Sequence, residues 1–161
     1  MAASKYLAIY LNDHLAGSTG GLELVKRIAK QNEGNDLGRF AAGLRPELAQ
    51  DRESLRAMMR ELGVREDPVK TAGGWAAEKV GRLKLNGELR GYSPLSPLVE
   101  LEGLMLGIDG KRRMWVAFAE TDALADRLGR ERLQELIARA DRQRDAVEQQ
   151  RLSAARTALV A

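Results

Sequence analysis

An all-α fold follows from three observations on the 161-residue sequence. Alanine, leucine, arginine and glutamate dominate, whereas valine, isoleucine and the aromatics are sparse, so strand-forming composition is missing. Apolar residues recur at helical spacing over stretches far longer than a strand. Proline and glycine fall where helices open and close rather than at the short intervals of hairpins. At this length one domain spanning residues 1–161 is expected, long enough to bury most of its apolar surface.

A first helix is predicted from Lys5 to Asn32, closed by "NEGND", whose Gly34 and Asn35 suit a helix C-terminus. Arg45-Pro46 opens a second, "PELAQDRESLRAMMRELG", with proline in its first turn and Gly63 past its end. A connection of about thirty residues then runs from Val64 to Ser93, carrying a short helix that starts at Asp67-Pro68 and holds Trp75 and Val80. The third long helix takes Ser96 as N-cap and Pro97 as its first residue, with a kink or bulge expected at Gly107 and Gly110. The fourth runs from Thr121 to Leu159, interrupted at Gly129. A long connection in the middle, flanked by two short ones, makes helices two and three run parallel.

That order of elements resembles the ferritin-like superfamily over nearly the whole chain, and the opening "YLNDHLAG", Tyr10 to Gly17, is similar to small bacterial proteins of that group. The resemblance implies a ferritin-like four-helix bundle with a long crossover carrying a short extra helix. It also implies association as a homodimer through helix faces.

Several function classes are excluded or disfavoured. Without cysteine there is no disulfide, thiolate nucleophile or cysteine zinc site. The N-terminus is too short and polar for a secretory signal, and no stretch approaches the roughly 20 apolar residues of a membrane span, so a soluble, cytoplasmic protein is expected. The 26 basic residues nearly balance 23 acidic ones, giving +3. From Glu120 to Arg156 eight arginines alternate with eight acids, the pattern of a solvated helix rather than a nucleic-acid footprint.

Stepping by four and three along each helix traces a bundle-facing seam: Leu7, Leu11, His14, Ser18, Gly21, Val25 and Ile28 on the first. The second gives Leu48, Asp51, Leu55, Met58 and Leu62. The third gives Leu98, Leu101 or Glu102, Met105, Ile108, Trp115 and Phe118; the fourth gives Leu133, Leu136, Ala140, Gln143, Val147 and Ala154. Each helix thus contributes one polar residue near mid-height: His14, Asp51, Glu102 and Gln143. The superfamily's dinuclear site needs two Glu-x-x-His pairs. The single histidine has Leu11 three residues before it, so ferritin-type iron oxidation is strongly disfavoured. Two readings stay open. Either the cluster is a buried hydrogen-bonded group that fixes helix register in a non-enzymatic binding or structural protein without a cofactor; or His14, Asp51 and Glu102 hold a single transition metal, iron or manganese, with Ser18 and Gln143 facing a small ligand.

The remaining motifs are structural. "GSTGG" matches no phosphate-loop pattern, and Gly17 and Gly21 predict close helix contact or room for a ligand. No serine lies in a nucleophile elbow. Glu100 and Glu102, two apart, point to different faces and make no acid/base pair. Trp75, with Glu78 and Lys79, reads as an anchor of the connection, and Trp115 as core.

Overall fold

The computed structural model describes residues 4–71 and 91–160, and among them every regular element is helical: α1 (Lys5–Gln31), α2 (Asp36–Glu61), α3 (Pro68–Thr71), α4 (Ser96–Ala119), α5 (Asp122–Leu128) and α6 (Arg130–Ala158). Trp75, Glu78, Lys79 and Val80, with most of the predicted connection, lie outside the described residues.

Local chemistry accounts for the boundaries. Ser4 opens α1 by accepting the Leu7 N–H at 3.1 Å, and Gly34, at φ +90°, turns the chain out of it. The second helix begins ten residues earlier than its proline predicted. Asn35 caps it by accepting the Gly38 N–H at 3.0 Å, and Asp36 sits favourably in the first turn. Pro46 therefore lies inside α2. Its missing N–H deprives only the Ala42 carbonyl, on a stretch exposed to water, so the helix continues. Past α2, Gly63 at φ +71° lets Val64 N–H bond the Met59 carbonyl at 2.8 Å and its own N–H bond that of Arg60.

Ser96 is the first residue of α4 rather than its cap; its buried Oγ accepts the Ser93 N–H at 3.0 Å. Neither Gly107 nor Gly110 interrupts α4, which is continuous from Ser96 to Ala119. Gly129, at φ +90°, does break the last helical stretch in two, as its position predicts.

The long helices pack in four pairs: α1 with α2, α4 with α6, α1 with α4, and α2 with α6. Each pair runs in opposite order, as Arg27–Glu100 and Tyr10–Phe118 show for α1 and α4, and Glu47–Gln143 and Glu61–Arg132 for α2 and α6. Hence α2 and α4 share one direction. The core has two apolar clusters. One gathers Leu11, Leu15, Leu55, Met58, Trp115, Phe118 and Leu133; the other gathers Val25, Ile28, Leu44, Leu48, Leu101, Ile108 and Val147.

Candidate functional site: a buried polar layer

Between the two apolar clusters, where α2 passes from Leu48 to Leu55 and α4 from Ile108 to Met114, lies a layer of charged and amide side chains. Asp51 of α2 and Gln143 of α6 are 3% and 2% exposed, both on the seams read from the sequence. Their third member is Lys111 of α4. Its Nζ donates to Asp51 Oδ2 and to Gln143 Oε1, each at 2.5 Å. Gln143 Nε2 donates to Asp51 Oδ2 at 3.0 Å and to Glu47 Oε2 at 3.2 Å. Arg139 Nη2 pairs with Asp51 Oδ1 at 2.5 Å, and its Nη1 donates to Gln50 Oε1 at 2.9 Å.

The electrostatics are closed. Two cations face one buried carboxylate, and Glu47 offsets the second. Burial pushes the Lys111 ammonium below its usual range, with Asp51 opposing that shift and Arg139 reinforcing it. A buried charge is tolerable only when its partners replace the lost water: Asp51 Oδ2 accepts from Lys111 and Gln143, whereas Oδ1 accepts no hydrogen bond and is compensated by its ion pair with Arg139.

The other residues predicted for this level lie elsewhere. Glu102 precedes Lys111 by nine residues, about 14 Å along the helix. Its side chain is half exposed and pairs with Arg151 at 3.5 Å. His14 is half-buried, its ring edge-on to Tyr10 with centroids 4.6 Å apart, and burial pushes its pKa below the usual value against the pull of Asp13. Ser18 donates its hydroxyl to the Leu15 carbonyl at 2.6 Å within its own helix. Thus His14, Asp51 and Glu102 are not assembled as a ligand set, and no group of three or more histidine or acidic side chains suited to a metal occurs among the described residues. The structure unites only Asp51 and Gln143 of the five predicted site residues.

Other polar residues, missed by the seam, are buried as well. Glu100, dismissed as one of a mismatched carboxylate pair, is 1% exposed; its Oε1 pairs with Arg27 Nε at 2.7 Å and its Oε2 accepts the Tyr92 hydroxyl at 2.8 Å. Asn32 Nδ2 donates to the same tyrosine oxygen at 2.8 Å. Burial raises the Glu100 carboxyl, against Tyr92 and Arg27, and raises the Tyr92 phenol well above its usual range. Asn12 clamps the chain beyond α2, its Nδ2 donating to the carbonyls of Ala8 and Arg65 and its Oδ1 accepting the Asp67 N–H at 2.7 Å. The predicted close contact at Gly21 is absent: a Cβ there would meet nothing within 4 Å.

No helix among the described residues is long and apolar enough to cross a membrane. Compared with family models, curated proteins and solved structures, the chain finds no match.

Proposed function

We propose that this chain is a non-enzymatic helical protein with a binding or structural role, built as a ferritin-like four-helix bundle. The opposed order of the paired helices, with α2 and α4 running the same way, supports that layout. The observation that carries the functional reading is the pairing of buried Asp51 with two cations, Lys111 and Arg139. In a metal site of this architecture the mid-bundle carboxylates would turn their oxygens toward an open position. In this chain Lys111, Arg139 and Gln143 occupy the space around Asp51, so its charge is spent on holding three helices in register.

The test is thermal unfolding with and without Fe(II), Mn(II) and Zn(II) in excess. A metal bound to the folded state at 100 times its Kd stabilises by about 2.7 kcal/mol, a shift of several degrees. The melting temperature is expected to stay within about one degree for each metal. A rise of several degrees, lost in both His14→Ala and Asp51→Asn, overturns the reading in favour of a metal-binding bundle.

A further inference from the structure

The second helix meets α6 through Glu47, Gln50, Asp51 and Glu61. Off that face stand Arg52 and Arg56, four residues apart and therefore side by side along the helix. Both are half-buried, and in each the Nε–H is shut off from solvent and donates no hydrogen bond. Buried donors are ordinarily satisfied, so two adjacent exceptions call for an acceptor.

The two arginines differ in their partners. Arg56 Nη1 donates to Glu53 Oε1 at 3.0 Å, and its Nε pairs electrostatically with Glu66 Oε1 at 3.2 Å. Arg52 forms no ion pair or hydrogen bond with any described residue. Burial, and then the like charge of Arg56, push its guanidinium below its ordinary range, against the pull of Glu53 and Glu66. Across from the pair, α1 presents its least bulky stretch. Gly38 abuts Asn32 and Ala29, and the two helices run in opposite order, so the turns around Arg52 fall level with Gly17 to Gly21. A Cβ at Gly21 would meet nothing within 4 Å, so packing does not close that wall.

We propose that Arg52 and Arg56 together bind a small carboxylate anion. A guanidinium presents its N–H donors as a fork that matches two carboxylate oxygens, and here two forks lie within reach of one ligand. The charge count selects a monoanion. Glu53, 63% exposed, is held by a surface pair of little worth and returns to water when the ligand takes its place. Arg52, Arg56 and Glu66 then leave one positive charge, which a doubly charged phosphate would exceed. The site shares no residue with the Asp51 network, so its test and the metal test fail separately.

NMR of the arginine Nε–H groups on the full chain tests this, with sodium acetate, sodium phosphate and sodium chloride titrated at equal ionic strength. Acetate is expected to shift the Arg52 and Arg56 signals along a saturating curve, and chloride to leave them in place. Arg52→Lys keeps the charge but loses the fork; acetate binding, read at Arg56, is expected to weaken by about tenfold. Arg60→Lys, on the exposed side of the same helix, is expected to bind like the wild type. Circular dichroism is expected to show wild-type folding in both variants, since each keeps its charge and its aliphatic stem. The absence of a saturable acetate shift overturns the proposal, as does an Arg52→Lys variant that binds undiminished. Equal weakening in Arg60→Lys overturns it in favour of general charge screening, and saturation by phosphate at lower concentration than acetate overturns the choice of a carboxylate.

Discussion

Lys111 Nζ and Asp51 Oδ2 lie 2.5 Å apart although sixty residues separate them in sequence, and this contact joins α4 to α2 between two apolar halves of the core. It belongs to a network, because Gln143 also bonds both partners and Arg139 also pairs with Asp51.

Removing one side therefore costs more than the pair contributes. Asp51→Ala is expected to lower unfolding free energy by about 3–5 kcal/mol, since it leaves Lys111 facing Arg139 with no carboxylate between them. Asp51→Ala/Lys111→Met is expected to lose less than the sum of the two single changes. Urea denaturation of the four proteins gives the coupling directly, and simple additivity would contradict a shared network.

Glu100 gives a pH signature of definite sign. Its folded pKa is raised by burial, so between the unfolded value and the folded one the native state holds more protons than the unfolded chain. Its contribution is fully present below the unfolded pKa of 4.5 and is lost as pH rises through the folded pKa. Glu100→Gln, which keeps an acceptor for Tyr92, is expected to gain stability relative to the wild type across that window. Unfolding measured at a series of pH values reads the difference, and an opposite slope would show that Arg27 outweighs burial.

His14 moves the other way. With its folded pKa lowered by burial, the unfolded chain binds the proton more readily, and stability is expected to fall as pH drops from 6.5 through the folded pKa. As the single histidine of the sequence it gives one set of imidazole resonances, and an NMR titration is expected to place its midpoint below 6.5.

Two glycines separate close approach from mere presence. A Cβ at Gly38 would stand 2.0 Å from the Asn32 carbonyl oxygen, so Gly38→Ala must push apart the turn between α1 and α2. It is expected to cost about 2 kcal/mol or more. Gly21→Ala meets nothing within 4 Å in a helix interior and is expected to stabilise by up to about 1 kcal/mol. Paired thermal melts decide both.

Asn12 tests the clamp beyond α2. Asn12→Ala removes the bonds to the Asp67 N–H and the Arg65 carbonyl, and a loss of about 1–3 kcal/mol is expected, with faster hydrogen exchange at Asp67.

The helical class, the break at Gly129 and the full buried stripe of α2, Leu48 to Leu62, were legible because leucine and methionine spacing carries its own period. Gln143 was legible for the same reason, as a polar residue between Ala140 and Val147. Lys111 was not, since a lysine on a mostly polar turn reads as solvent-facing and only the distant Asp51 makes its burial tolerable. On α4 the seam left Leu101 or Glu102 open at one step; Leu101 is the buried one, and Glu102 faces outward. On α1 the stretch Gly17 to Gly21 carries too little side chain to show a period, so Leu15 and Leu24 were missed and His14 was placed too deep. Pro46 misled because its own chemistry fits a helix start, while the actual start was written in Asn35 and Asp36.

The positive-φ turn at Gly129 isolates α5, seven residues whose Ala125 and Leu128 are buried in the same cluster as Trp115 and Phe118. A helix of two turns has almost no stability of its own and exists only while docked. The end of the core that holds Trp115 is thus stoppered by an element that cannot stand alone. If α5 undocks below the free energy of global unfolding, Trp115 emission in a Trp75→Phe background is expected to report that local opening before the rest of the molecule melts.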